Sequence, residues 1–418
     1  MVGAKVHVIG AGMAGLACAV ELVRCDRQVI LHEATARAGG RCRSFVDSAV
    51  DRLIDNGNHL ILSGNQAVHA YLRDIGAENA LVGPEHAIFP FFDLETGERW
   101  SLQPGSGRIP WWLLLSARRI PGTRATEYLR ALRLAFVRPG DTVAAIVGGN
   151  GVLFRRFWEP LTVAVLNANP NEAAASLLWP VIRETFGKGE AACRPRIARR
   201  GLGPDLVDPA LQWLRHKGCD IRFSHRLRTL GSSDSNAISG LSFGEDRVEL
   251  GAGDAVILAV PPAVASELLP ELTVPQGSRA IVNAHFRLAG DRGSPIVLGL
   301  IGGLSQWLFV RGDIASVTIS AADALAEEPA DAIAVRVWAE VCCALDLGVL
   351  PLPPHRIVKE KRATFAQTPD DVARRPASAT RWKNLWLAGD WIDTGLPATI
   401  EGAVRSGQSA AHLIMAAD

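Results

Sequence analysis

Tyrosine and methionine are nearly missing from this chain: Tyr71 and Tyr128 are the only two tyrosines among 418 residues, and there are three methionines. Cysteine is present but unpaired in pattern. The seven, Cys18, Cys25, Cys42, Cys193, Cys219, Cys342 and Cys343, are odd in number and hold no Cys-x-x-Cys spacing. A disulfide framework or zinc knuckle is therefore not expected, no metal site is expected, and a reducing cytosol is the fitting compartment. No apolar run reaches the roughly 18 residues that span a bilayer. The formal net charge is only +1, and no Lys/Arg tract is interleaved with aromatics, which argues against nucleic acid as a partner. Arginine far outnumbers lysine, which reads as codon bias. What remains is a chain that is 48% hydrophobic and long enough for two or three cores.

The informative residues sit at the two ends. Lys5-Val6-His7-Val8-Ile9 reads as a buried strand, too useful there to be a secretion signal. It runs into Gly10-Ala11-Gly12-Met13-Ala14-Gly15, a helix over 14–25 and a second strand over 28–32 that ends at Glu33. In such a unit Gly10 permits the strand-to-helix turn, Gly12 lets backbone approach a pyrophosphate, and Gly15 lets helix and strand close. The phosphates then meet the unpaired N–H groups of a helix N-terminus. Glu33 suits a ribose diol and repels a 2′-phosphate, which disfavours NADP. Arg37-Ala38-Gly39-Gly40-Arg41 follows, where Gly40 permits close approach and Arg41 can neutralise phosphate from the opposite side. At the far end, Leu387-Ala388-Gly389-Asp390 follows a short buried strand, and Ala398-Thr399-Ile400-Glu401 opens a last helix. Asp390 can bond ribityl hydroxyls. A helix N-terminus at Thr399 can stabilise negative charge on the N1/O2 edge of a reduced flavin. Both ends together indicate FAD.

Between them, Asp55-Asn56-Gly57-Asn58-His59 suggests backbone at Gly57 touching the flavin, with His59 either a satisfied core-edge ring or a proton donor over the flavin face. Glu401 is either a helix-end charge or a second candidate acid. The middle of the chain, 90–190, is rich in aromatic, proline and Arg/Leu segments; strand patterns recur over 220–223, 254–262, 280–286 and 317–319, with a helix near 329–346. Ser232–Asn236 reads as a hairpin loop. The expected fold class is α/β: a Rossmann-like FAD-binding domain of the glutathione-reductase-2 type over 1–90, 195–270 and 352–418. An interleaved α+β substrate domain covers 91–194 and 271–351.

Taken together, these motifs resemble the amine-oxidase/phytoene-desaturase flavoprotein superfamily over nearly the whole chain. The narrower likeness is to its squalene-associated branch in bacterial hopanoid synthesis. It rests on Asp55–His59, Trp158-Glu159-Pro160-Leu161 with Leu166-Asn167, Ile281-Val282-Asn283, Gln306-Trp307-Leu308-Phe309 and Gly395–Val404. The resemblance implies cofactor contacts at Met13, Ala14, Ala34, Asn58, Leu227, Gly389 and Ile400, and substrate contacts at Asn283 and Trp307. Many amine-oxidase members carry a lysine on the strand where this chain has Asn283, and an aromatic residue where it has Thr399. With so few tyrosines, an aromatic cage for an amine is not expected.

That likeness implies reduction of hydroxysqualene to squalene by reduced FAD, with water lost from an allylic carbon. A long-chain isoprenoid is the implied substrate, and the electron donor is not indicated by any motif. Ile109-Pro110-Trp111-Trp112-Leu113-Leu114-Leu115 with Arg118 and Arg119 reads either as a peripheral contact with the inner membrane through Trp111 and Trp112 or as a tunnel-lining helix. Two further readings stand beside this one: a carotenoid or polyprenoid desaturase, and a lipid-binding chaperone on the same fold that has lost redox function, as Rab GDP-dissociation inhibitors have.

Overall fold

The computed structural model describes residues 4–233 and 236–417. Its first sheet is made of five parallel strands in the spatial order Asp220–Arg222, Gln28–His32, Lys5–Ile9, Ala255–Leu258 and Leu385–Leu387. Apart from Asp220–Arg222, these short runs are mainly apolar on both faces because both are covered: helices pack on one, and the strands Thr229–Ser233 and Ala237–Ser242 with the helix Pro262–Leu268 pack on the other. Val6, Val8, Val29, Leu31 and Ile257 form one core with the first helix, Met13–Arg24, and the last, Ile400–Ala417. The two helices meet closely: a Cβ on Gly407 would lie 2.1 Å from the carbonyl oxygen of Ala14. Residues nearly 400 positions apart are thus packed side by side.

The second sheet has seven strands, in the order His355–Phe365, Ser278–Arg287, Ile314–Ile319, Trp307–Arg311, Ile296–Ile301, Phe89–Asp93 and Arg99–Leu102. One face packs on the helix Ala330–Ala344, through Val282, Ala284, Val317, Ile333, Val337 and Val341. The helical region from 111 to 193 contributes a further core around Phe89, Phe91, Trp100, Trp158 and Leu178.

Two expected boundaries differ from this arrangement. The strand His355–Phe365, expected in the nucleotide domain, pairs along its length with Ser278–Arg287 and forms an edge of the second sheet. Its pattern misleads because Lys359, Lys361 and Arg362 make it polar, as suits an edge strand. The boundary at 90 also falls inside the strand Phe89–Asp93, which lies parallel to Ile296–Ile301. The hairpin expected around 232–236 joins the antiparallel strands Thr229–Ser233 and Ala237–Ser242, with Asp234 and Ser235 outside the described residues.

Candidate active site

The glycine loop follows the first strand. Gly10 has φ +108°, and a Cβ there would stand 2.4 Å from the Ala259 carbonyl oxygen. A Cβ on Gly15 would stand 1.8 Å from the Gly10 carbonyl oxygen, so both positions are closed to any side chain by the protein itself. Gly12 is different. No atom lies within 4 Å of its notional Cβ, and the nearest neighbour of a Cβ on Gly40 is the Gly12 Cα at 3.4 Å. The loop of Gly39 is tied down by its N–H donating to the Ala11 carbonyl at 2.8 Å. Gly12 and Gly40 therefore border an open cleft at the head of the first helix.

That helix has no side-chain cap, and among the described residues the N–H groups of Met13, Ala14 and Gly15 have no protein acceptor. All three residues are buried. Buried donors left unpaired cost several kcal/mol between them, on the order of 1–3 each. An anion in the cleft satisfies them. The last helix repeats the arrangement. Thr399 accepts the Gly402 N–H at 3.1 Å, while the Ile400 and Glu401 N–H groups have no acceptor among the described residues. Two helix N-termini, on helices that touch, thus offer unspent donors.

Around them, Glu33 is buried and accepts the Ala11 N–H at 2.9 Å and both the N–H and hydroxyl of Thr35 at 2.9 Å. Ala34 is exposed beside it. Arg41 donates to Asp390 Oδ1 and to the Ala363 carbonyl, each at 2.6 Å, so the two ends of the chain are joined by an ion pair. Gly389, at φ +155°, would meet the Trp391 ring 2.5 Å from a Cβ, and its N–H donates to Ser406 Oγ at 2.8 Å. Leu227 lies in the core with Ile9 and Leu258 under the same sheet.

Asn283 lies opposite Thr318, and Thr318 lies opposite Trp307. The same row continues through Gly299 and Phe91 to Trp100. Directly opposed residues share a face of the sheet, so this is one line of side chains about 24 Å long at the usual strand spacing. Its first part is polar. Asn283 Nδ2 donates to the Asn56 carbonyl at 3.1 Å, Thr318 Oγ1 donates to Asn283 Oδ1 at 2.8 Å, and Asn58 Nδ2 donates to Thr318 Oγ1 at 3.0 Å. Its second part is aromatic: Trp307 meets Phe91 edge-on at 5.7 Å, and Phe91 stacks on Trp100 at 5.7 Å. A notional Gly57 Cβ lies 3.4 Å from Asn283 Nδ2 and 3.9 Å from His59 Nε2, so both groups converge over Gly57.

Burial holds the His59 imidazole down at about 4, the Asp55 charge opposing this and the Arg41 charge adding to it. It is neutral at pH 7. Behind it lies a small cavity that Asp55, Arg311 and Ser316 also line. Asp55 is fully engaged there, by Ser44, the Leu202 N–H and Arg311.

Glu401 corrects an expectation. It is buried, and its oxygens accept the Ala67 and Val68 N–H groups at 3.0 Å each and pair with Arg405 at 2.8 Å. It caps the helix Gln66–Asp74 from a neighbouring helix, with both oxygens engaged as acceptors. The tryptophan pair is also divided. Trp111 is 66% exposed, whereas Trp112 turns inward against Tyr128.

Three residues that the sequence reading did not single out hold the parts together. Gln367 is fully buried; its Nε2 donates to the Leu166 carbonyl at 2.7 Å and its Oε1 accepts the Ala398 N–H at 2.8 Å. It fixes the entry to the last helix. Arg375, buried, donates to the Ile392 carbonyl behind Asp390. Thr318 links Asn58 to Asn283. Only tertiary pairing reveals these roles, since a lone Gln, Arg or Thr carries no local signal.

A two-ended cradle of this kind defines a class: the chain belongs to the flavin-containing amine oxidoreductase family, whose model matches residues 13–290 and 310–415. Its cofactor is FAD. Among curated relatives, it is 49% identical to hydroxysqualene dehydroxylase of Sinorhizobium fredii, over 98% of each chain. It is 48% identical to hydroxysqualene dehydroxylase of Rhodopseudomonas palustris, over 99% of this chain and 98% of that one. Zeta-carotene desaturase of Synechocystis is more distant, at 22% over 99% and 97%. The fold is shared with cyclohexylamine oxidase from Brevibacterium oxydans, at TM-score 0.68 and 18% identity over 98% of each chain.

Proposed function

We propose that this enzyme reduces hydroxysqualene to squalene. FAD fits the cradle: Gly12, Gly40 and the first-helix N–H groups would hold the pyrophosphate, Glu33 the ribose, the Arg41–Asp390 pair the middle, and the last helix the flavin edge. When bound in its reduced form it supplies hydride. The chain's own task is to hold an allylic alcohol, help the hydroxyl leave as water, and keep other water away from the carbon that becomes cationic. Overall, the carbon–oxygen bond breaks, a carbon–hydrogen bond forms, and the hydroxyl leaves with a proton as water.

The row across the second sheet carries this reading. Asn283 and Thr318 offer polar groups where His59 converges, suited to a lone hydroxyl, and Trp307, Phe91 and Trp100 continue as a dry aromatic wall, suited to an isoprenoid arm. No lysine or tyrosine stands in that row to serve an amine. His59, neutral, can hydrogen-bond the hydroxyl oxygen through a ring N–H and lend it positive potential as the bond to carbon breaks. A C30 lipid partitions into bilayers, so the reading includes a cytoplasmic enzyme in peripheral contact with the inner membrane, through Trp111 rather than Trp112.

The test is a choice of substrates. Supplied with a flavin reductant and hydroxysqualene, the enzyme is expected to form squalene. Supplied with phytoene and an electron acceptor, it is expected to form nothing. Desaturated phytoene with no squalene would overturn the reading in favour of a desaturase.

A further inference from the structure

We infer that residues 109–136 form a docking face for an anionic bilayer, and that the cavity beside this face admits the lipid substrate directly from it. The inference rests on the lipid reading above. Residues 125–136 form a 3-10 helix, whose period of three sorts its side chains into three stripes. Tyr128 and Leu134 lie on the buried stripe, with Ala131 packed beside them. Leu129 and Leu132 lie on a second stripe, 61% and 58% exposed. Glu127, Arg130 and Arg133 make up the third, which ends at Phe136, 84% exposed. The neighbouring short helix Trp111–Leu114 adds Trp111 and Leu114, both about two-thirds exposed, and is joined to the helix over 125–136 through the Trp112–Tyr128 ring contact.

A soluble surface rarely leaves so many large apolar side chains together. Their flank identifies the partner. Between Gly105 and Arg138 there are seven arginines and one acid, Glu127. Exposed apolar side chains on a segment this rich in arginine match the acyl boundary and phosphate layer of an anionic membrane. A protein partner of acidic surface would not by itself explain the apolar stripe. Among the described residues no helix is long and apolar enough to cross a bilayer, so the contact is peripheral.

Beside this face lies a cavity of about 590 Å³, within the range of lipid- and drug-sized sites. Ser116, Ala117 and Arg119, from the segment after Trp111, form one side, and Phe91 and Trp100 form the other. Phe91 is also the residue that meets Trp307 in the row leading to Asn283. The cavity thus lies between the membrane-facing segment and the aromatic end of that row.

The FAD-loaded enzyme is sedimented with phosphatidylcholine vesicles containing about 30% phosphatidylglycerol, and with phosphatidylcholine alone. The wild type is expected to bind the anionic vesicles and to bind the neutral ones weakly. A Trp111→Ser/Leu132→Ser/Phe136→Ser variant is expected to lose at least about tenfold in partitioning, with flavin content and turnover of detergent-dispersed substrate unchanged. Arg118→Glu/Arg133→Glu is expected to lose the anionic preference. Ala117→Trp at the cavity mouth should bind vesicles normally yet turn over vesicle-borne substrate more slowly than detergent-dispersed substrate. Undiminished binding by the triple variant, or no anionic preference in the wild type, overturns the docking face. Undiminished vesicle turnover by Ala117→Trp overturns the entry route. Wild type that binds vesicles but makes no squalene in detergent refutes the substrate assignment and leaves the docking result standing.

Discussion

The glycines of the nucleotide loop are not equivalent, and substitution separates their roles. Gly10 and Gly15 are excluded from carrying side chains by protein backbone, whereas a Cβ on Gly12 meets nothing. Gly12→Ala should therefore leave the stability of the flavin-free protein within about 0.5 kcal/mol and weaken FAD binding tenfold or more. Chemical unfolding and flavin titration read the two quantities separately, and equal loss in both would contradict the cleft. His59→Ala should keep its flavin and lose about a hundredfold in turnover. Because burial holds His59 at about 4, it stays neutral through the neutral range. Turnover should then show no His59 limb between about pH 5 and 8, and a limb near 6.5 that vanishes in the variant would contradict this. Glu401→Ala should cost about 3 kcal/mol of stability, since it strands two helix donors and Arg405. Lost turnover at unchanged stability would restore Glu401 as an acid. The cofactor residues were legible because a pyrophosphate forces glycine at fixed offsets. Glu401 was not, because a carboxylate in a first helical turn reads alike whether it faces a ligand or a neighbouring helix.

Among elements, the first two strands carry a buried feature beside the ribose site. His7 Nδ1 lies 3.1 Å from His32 Nε2, His32 Nδ1 lies 2.9 Å from His225 Nδ1, and His225 Nε2 lies 2.9 Å from Asp246. Each N···N contact holds one proton, so the three rings form a hydrogen-bonded chain that ends on Asp246. Burial, then the neighbouring histidines and Arg222, hold His32 down to about 3 in the fold. An unfolded histidine protonates near 6.5. Between those values the unfolded chain binds the extra proton, so stability falls as pH drops from about 6.5 towards 3, by up to about 1.4 kcal/mol per pH unit. Unfolding measured at pH 7 and 5 should show this slope, and His32→Asn should reduce it; the same slope in both proteins would contradict the assignment. At this scale the strands and the helix near 329–346 were plain from apolar runs. The period-three stripes of 125–136 were not separable from an ordinary helix, because a few residues of spacing 3.0 and 3.6 look alike in sequence.

For the whole molecule, the decisive fact is that the two ends of the chain complete one site. The Arg41–Asp390 pair, the contact of Gly407 with Ala14 and the grip of Gln367 on Ala398 bring them together. The pairing of N- and C-terminal motifs was legible because a flavin dinucleotide needs holding at both ends. The sheet row from Asn283 to Trp100 was not, because it depends on registers among six strands drawn from residues 89 to 318. The edge strand His355–Phe365 was assigned to the wrong domain for the same reason: its charges hide a partner that only the fold supplies. The account predicts that this assembled site passes hydride to one allylic alcohol. Its most direct test is anaerobic titration of the dithionite-reduced enzyme, freed of excess reductant, with hydroxysqualene. The flavin absorbance should return in proportion to the squalene formed, one for one. Flavin that stays reduced in the presence of bound substrate, or that reoxidises with no squalene formed, would contradict it.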